Sequence, residues 1–294
     1  MRFLVASVLA GLLFNFVPAM AKDQPAIPLP KTSKWEMNYD PDFCQLLATF
    51  GSGKDIAIVE LRREHPGDGF DWQFYSQLIK FSETQMPIEL TFGPGGKPIK
   101  RTGIVLTMSG PKKLPVVRVT GLRIDGWEGR MYPELVPAVT AAQEAKITEI
   151  EIKLPFGKRY RLVTGSMAAP LSAMRTCTTD LIKTWGYDPA VEDTLTKRAQ
   201  PVGSPAKWIG SADYPSASWT QGHNGLVRFR IDVDSTGQPK GCRVLYRTSP
   251  DEFADLSCKL LMQRARFTPA LDVTGKPVKS YYINSIRWMT EREG

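Results

Sequence analysis

The chain has 294 residues and a formal charge of +8, long enough for two domains. A basic surplus of this kind suits nucleic acid, an anionic membrane face or acidic partner surfaces. Lysines and arginines are interleaved with acids throughout and never run five together, which argues against nucleic-acid binding.

At the N-terminus Arg2 precedes an apolar stretch, residues 3–17, and Ala19-Met20-Ala21 makes an A-x-A site before Lys22-Asp23-Gln24. This is the pattern of a secretory signal peptide, residues 1–21, cut after Ala21. The rival is an uncleaved anchor, but the apolar stretch is short for a span, is broken by Asn15 and followed by Pro18, and exits through small residues. No cysteine follows it, so lipoprotein processing is not expected, and no later stretch is long and apolar enough to cross a bilayer. The expected product is exported, periplasmic and soluble.

Residues 22–34 form a short proline-containing lead-in. Residues 35–188 read as a β-rich domain with two helices. Strands are predicted at 56–62, 87–92, 103–108, 116–124 and 148–154, with a Gly/Pro turn over 92–98. A short helix is predicted at 134–145, interrupted by Pro137. A stronger one spans 169–185, where Leu171, Met174, Thr178, Leu181, Ile182 and Trp185 share a face with Cys177 at its edge. Gly186 and Pro189 supply its stop.

This region offers little chemistry. Gly51-Ser52-Gly53-Lys54 is followed by Asp55 where a phosphate loop needs Ser or Thr, and Gly96-Lys97-Pro98 fails in the same way. Ser109-Gly110-Pro111-Lys112 and Ser204-Pro205-Ala206-Lys207 match Ser-x-x-Lys outside any helix that would align the pair. The two histidines, His65 and His223, both fall in turns and are expected to be solvated. Asp68 and Asp71 flank a loop that could hold a cation weakly but lack a calcium-loop pattern. Trp72, Phe74, Tyr75, Trp127 and Tyr132 are expected as core rather than ligand platform.

Residues 189–210 are expected to be a linker and 211–294 a second domain. In the latter, 226–234 alternates, with Val227, Phe229, Ile231 and Val233 facing one way and Arg228, Arg230, Asp232 and Asp234 the other, which marks a half-buried strand. Ser235-Thr236-Gly237 turns the chain into a return strand, 242–248. Ser249-Pro250-Asp251-Glu252 reads as a capping box opening a helix whose stripe is Phe253, Leu256, Leu260 and Leu261. The helix ends near Ala265, and a last strand runs over 278–288.

Four cysteines in an exported chain imply disulfides, and three pairings are possible. Cys242–Cys258 and Cys44–Cys177, one within each domain, are favoured. The first would staple the return strand to the helix; the second would tie the start of the first domain to its last helix. A zinc site is the rival, without CxxC spacing and with only two histidines to help. No metal and no cofactor are expected.

The ordered series Tyr214-Pro215, Gly225-Leu226-Val227, Val233-Asp234, Gly237, the helix, Phe267-Thr268-Pro269-Ala270 and Gly275-Lys276-Pro277-Val278 resembles the TonB C-terminal domain family over about residues 211–290. The resemblance implies an α+β periplasmic module, here β-β-α-β, that pairs with short peptide segments of envelope proteins such as outer-membrane receptors. It also implies that the pairing edge is the last strand. Tyr281, Ile283, Ser285 and Arg287 on one face are the candidate binding residues; Tyr282, Asn284, Ile286 and Trp288 form the other, and both faces mix apolar with polar residues. The family's energy transducers carry an inner-membrane anchor and a long proline-rich spacer. The lead-in and the 189–206 connector are too short for such a spacer at roughly 3.1 Å per residue.

The expectation is therefore an exported adaptor, not an enzyme, that adds a guest strand to an open sheet edge. The alternatives are an exported hydrolase with its site in 35–188, an envelope component that self-associates through the same edge, and a TonB-type energy transducer if the N-terminal segment is not cut.

Overall fold

The computed structural model of the protein describes residues 25–80, 85–107, 114–127, 137–248 and 250–290. The segment read as a signal peptide lies outside the described residues, and among these no helix is long and apolar enough to cross a membrane. The architecture is α+β and strand-rich, as expected.

The first half contains β1 (Ile27–Pro30), β2 (Glu36–Tyr39), β3 (Cys44–Phe50), β4 (Ala57–Arg63), β5 (Phe70–Ser76), β6 (Gln85–Phe92), β7 (Ile99–Thr107) and β8 (Pro115–Leu122). It continues with α1 (Ala141–Lys146), β9 (Glu149–Lys153), β10 (Arg159–Val163) and α2 (Ala168–Thr184). The strands order as β1-β10-β9-β6-β7-β8-β5-β4-β3-β2. After Pro30 the chain leaves β10 and reaches the opposite end of the sheet. There Gly51 N–H donates to the Pro30 carbonyl at 2.8 Å and Thr32 N–H to that of Thr49 at 2.8 Å. The chain that leaves β1 thus meets the end of β3 at this seam, with Lys31 bridging Phe50.

Period-two rows fill the interior: Cys44, Leu46, Ala48 and Phe50 from β3, Ala57, Val59 and Leu61 from β4, and Phe70, Trp72 and Phe74 from β5. Helix α2 lays Leu171, Met174, Cys177 and Leu181 on the same core. The Cys44–Cys177 disulfide joins it to β3. Two expectations change. The helix expected at 134–145 begins only at Ala141, capped by Thr140 in a capping box with Gln143, and the start of the expected span lies outside the described residues. Asp71 is not in a loop but in β5, whose alternation of aromatic and polar residues is that of a strand covered on both faces.

The second half contains α3 (Pro189–Asp193), β11 (Gln200–Pro201), α4 (Ser216–Gln221), β12 (Gly225–Val233), β13 (Pro239–Arg247), α5 (Glu252–Arg264), β14 (Phe267–Thr268), β15 (Ala270–Leu271), β16 (Pro277–Val278) and β17 (Ser280–Trp288). The main sheet orders as β13-β12-β17, all antiparallel. Val227, Phe229, Ile231 and Val233 turn toward α5, and Cys242–Cys258 staples β13 to that helix. Segment 189–210 packs on this half of the molecule. β11 pairs with β14, and Ala199 and Trp208 enter the core.

Two glycines of the motif series are required sterically. A Cβ on Gly225 would stand 2.4 Å from the Phe253 ring. Gly237, at φ +81°, would place a Cβ 1.9 Å from the carbonyl oxygen of Phe267, whose N–H donates back to Gly237. The helix start differs from the expected capping box. α5 begins at Glu252 after Asp251, Ser249 lies outside the described residues, and the Glu252 carboxylate instead accepts from Ser218 Oγ of α4.

Candidate functional site

β17 lies at the rim of the three-stranded sheet and, among the described residues, pairs only with β12. Which of its backbone groups face outward follows from the ladder. Leu226 turns both its groups toward the β13 side, its N–H to Thr248 Oγ1 (2.9 Å) and its carbonyl to Thr248 N–H (3.0 Å). Residues alternate along an antiparallel strand, so Val227, Phe229, Ile231 and Val233 bond β17. With the unbroken register Val227↔Ile286 to Val233↔Ser280, the N–H and C=O of Tyr281, Ile283, Ser285 and Arg287 point away from the sheet. The four candidate residues are those whose main chain forms the open rim. Among the described residues, one of these outward groups has a partner: Ser285 N–H donates to Oδ1 of its neighbour Asn284 at 2.8 Å.

The two faces of β17 have different surroundings. Tyr282, Ile286 and Trp288 belong to the α5 side. Trp288 stacks on Phe253 at 5.1 Å and donates its ring N–H to Ser257 Oγ at 3.1 Å. Beside the rim on this side opens a cavity of about 390 Å³. Trp208, Phe229, Leu261 and Ile286 supply apolar lining, and Asn284 and Arg287 the polar part.

The side chains of Tyr281, Ile283 and Ser285 lie on the other face, toward the first half of the chain. Tyr281 is buried against Trp185 (ring centroids 5.4 Å) and Tyr187 (5.2 Å), with Ile283 and Ile182 in the same cluster. The Tyr187 hydroxyl lies 2.8 Å from Asp232 Oδ1 and 3.0 Å from the Ser280 carbonyl, and its one proton serves one of them at a time. Burial, then the Asp232 charge, raise its pKa. The 280–283 stretch of the rim is therefore flanked by the end of α2 and the turn after it, while 284–288 adjoins the cavity.

The same sheet face docks on β4, β5 and β8. Arg228 pairs with Glu64, Arg62 Nη2 donates to the Leu245 carbonyl at 3.0 Å, and Arg118 lies over the Tyr246 ring at 4.2 Å. Arg230 lies over Trp185 at 4.0 Å, and Arg243 forks onto Asp42 at 2.9 Å. This docking explains why Glu60, Arg62, Glu64, Asp71, Gln73 and Arg118 are buried although they are charged or polar.

The residues weighed for chemistry are occupied otherwise. Asp71 accepts from Arg118 Nη2 (2.7 Å) and Gly121 N–H (3.1 Å); Asp68 accepts from Val139 N–H (2.8 Å). His65 is not a solvated turn residue. It is half-buried, its Nδ1–H donates to the Pro66 carbonyl at 2.6 Å, and its pKa falls to about 4. Desolvation is the main cause, joined by the charges of Arg228, Arg198 and Arg63 and opposed by the Pro66 bond. His223 Nδ1 lies 3.3 Å from Ser218 Oγ, but the acid, Glu252, bonds the serine rather than the histidine. In a hydrolytic triad the acid orients the imidazole, so this group reads as a brace between α4 and α5. Among the described residues no cluster of three or more metal-ligating side chains occurs.

A family model, Gram-negative bacterial TonB protein C-terminal, matches residues 211–290. That is roughly a quarter of the chain, and it covers β12, β13, α5 and β17. No curated protein matches the chain. The C-terminal domain is thus of the TonB type, an interaction module that points to the Gram-negative cell envelope.

Proposed function

We infer that the protein is a periplasmic adaptor whose TonB-type domain accepts an extended segment of an envelope protein, such as an outer-membrane receptor, at the β17 rim. The observation that supports this best is the outward row of main-chain groups from Tyr281 to Arg287 beside a partly apolar cavity. Backbone pairing supplies affinity, and side chains alternate along the guest, so every second one faces the cavity and reads its lining. The matched module is not an enzyme family, and the serine, histidine and acid residues near it are braces.

Ser285→Pro tests this. Proline deletes a donor in the middle of the row yet is tolerated on a sheet rim. The expected result is about tenfold weaker retention of a specific envelope protein from detergent extract, at unchanged melting temperature. Equal retention by both forms counts against strand addition at β17.

A further inference from the structure

We propose that Asn284 is a guard on this rim, held over the Ser285 N–H by Tyr282 and displaced when a guest strand pairs there. The proposal rests on the reading of β17 as a strand-accepting rim. Open rims invite unwanted pairing and are commonly blunted by lysine, proline or bulges. The β17 sequence, Ser280 to Trp288, has no lysine or proline, and its register with β12 is unbroken. Beyond the 280–283 stretch that Trp185 and Tyr187 flank, its protection lies in one side chain. Asn284 belongs by its own main chain to the groups that face β12, but its amide turns back, and Oδ1 accepts from the outward Ser285 N–H at 2.8 Å.

That orientation is fixed from the other end. Asn284 Nδ2 donates to Tyr282 Oη at 2.5 Å. The Tyr282 ring is in turn held between Phe267 (5.3 Å) and Trp208 (6.1 Å). A guest carbonyl that takes the Ser285 donor must expel Oδ1. Asn284 also lines the cavity, so a guest side chain entering there replaces it directly. A second copy of this chain offers its own guarded β17 and would have to release two guards at once. The guard therefore discriminates against self-pairing in favour of a guest that fills the cavity.

The test uses the exported chain, with amide exchange at Ser285 and sedimentation over a concentration series. Asn284→Ala should speed Ser285 exchange about three- to tenfold and, because two guards are released per pair, lower the concentration at which the chain self-associates by about the square of that factor, roughly ten- to a hundredfold. Asn284→Asp, which keeps an acceptor oxygen that Tyr282 Oη can hold, should retain the protection. Tyr282→Phe should lose part of it while keeping the ring packing. Unchanged exchange in a folded Asn284→Ala chain overturns the guard and leaves the strand-accepting rim standing. Faster exchange with no change in self-association also overturns it. Failure of the underlying reading shows separately, as a Ser285→Pro chain that still captures its envelope protein.

Discussion

His65 is held neutral by burial and by the arginines around it, with a pKa of about 4 against an ordinary value near 6.5. The folded chain therefore binds fewer protons than the unfolded one between those values, so stability rises with pH across that window. It is fully present above about pH 6.5 and is lost as pH falls through 4. Thermal unfolding between pH 7 and 4 should show this slope, and His65→Gln should flatten it; an unchanged slope would mean carboxylates carry the acid sensitivity. Nothing local reveals this in the sequence. Glu64-His65-Pro66-Gly67 is a turn pattern, and turns are usually wet. Two of the charges that add to the burial, Arg228 and Arg198, come from the other half of the chain. The same holds for Asp71, whose partner Arg118 is three strands further along in sequence.

Among the elements, β12 and α5 were the most legible. The alternation of Val227, Phe229, Ile231 and Val233 is a local pattern, and the structure buries all four. The first-half strands were harder. β3 carries Leu46-Leu47-Ala48, an apolar run that blurs the period, and β5 has buried polar residues between its aromatics because the second domain covers its outer face. The cysteines were readable because an even number in a chain expected to be exported implies disulfides, and both favoured pairs are found. Their contributions should differ with the length of chain they close. On chain entropy alone, replacing Cys242 and Cys258 by serine, a separation of 16, should cost roughly 3 kcal/mol. Replacing Cys44 and Cys177, a separation of 133, should cost nearer 5 kcal/mol. Urea unfolding monitored in each half separates the two. Equal losses would show that native contacts, not loop closure, set the stabilisation.

At the scale of the whole molecule, the two halves are joined by a polar, arginine-rich face beside the smaller apolar cluster of Tyr281, Trp185 and Tyr187. Glu64 is buried (3% of its side chain exposed) and Arg228 is one-quarter exposed. Removing one member of such a pair leaves the other uncompensated, at a cost of about 3–5 kcal/mol. Glu64→Ala should therefore loosen the docking, seen as a larger radius of gyration in solution scattering, and Glu64→Gln should loosen it less. Unchanged scattering would mean that the Tyr281–Trp185–Tyr187 cluster alone holds the halves together. Loosening should also expose the 280–283 stretch of the rim, which Tyr187 and Trp185 now flank.

By itself the sequence determined the strand and helix pattern of the TonB-type module and limited the cysteines to three pairings, because alternation and helical spacing act over short stretches of chain. Only the tertiary structure decided which face of β17 meets the first domain. Both faces mix apolar and polar residues, and the groups that break the tie, Glu64, Trp185 and Tyr187, lie far away in sequence. It also placed the Asn284 amide over Ser285, since the Tyr282 ring that orients Asn284 is held by Trp208, from the segment before the module, and by Phe267 of β14.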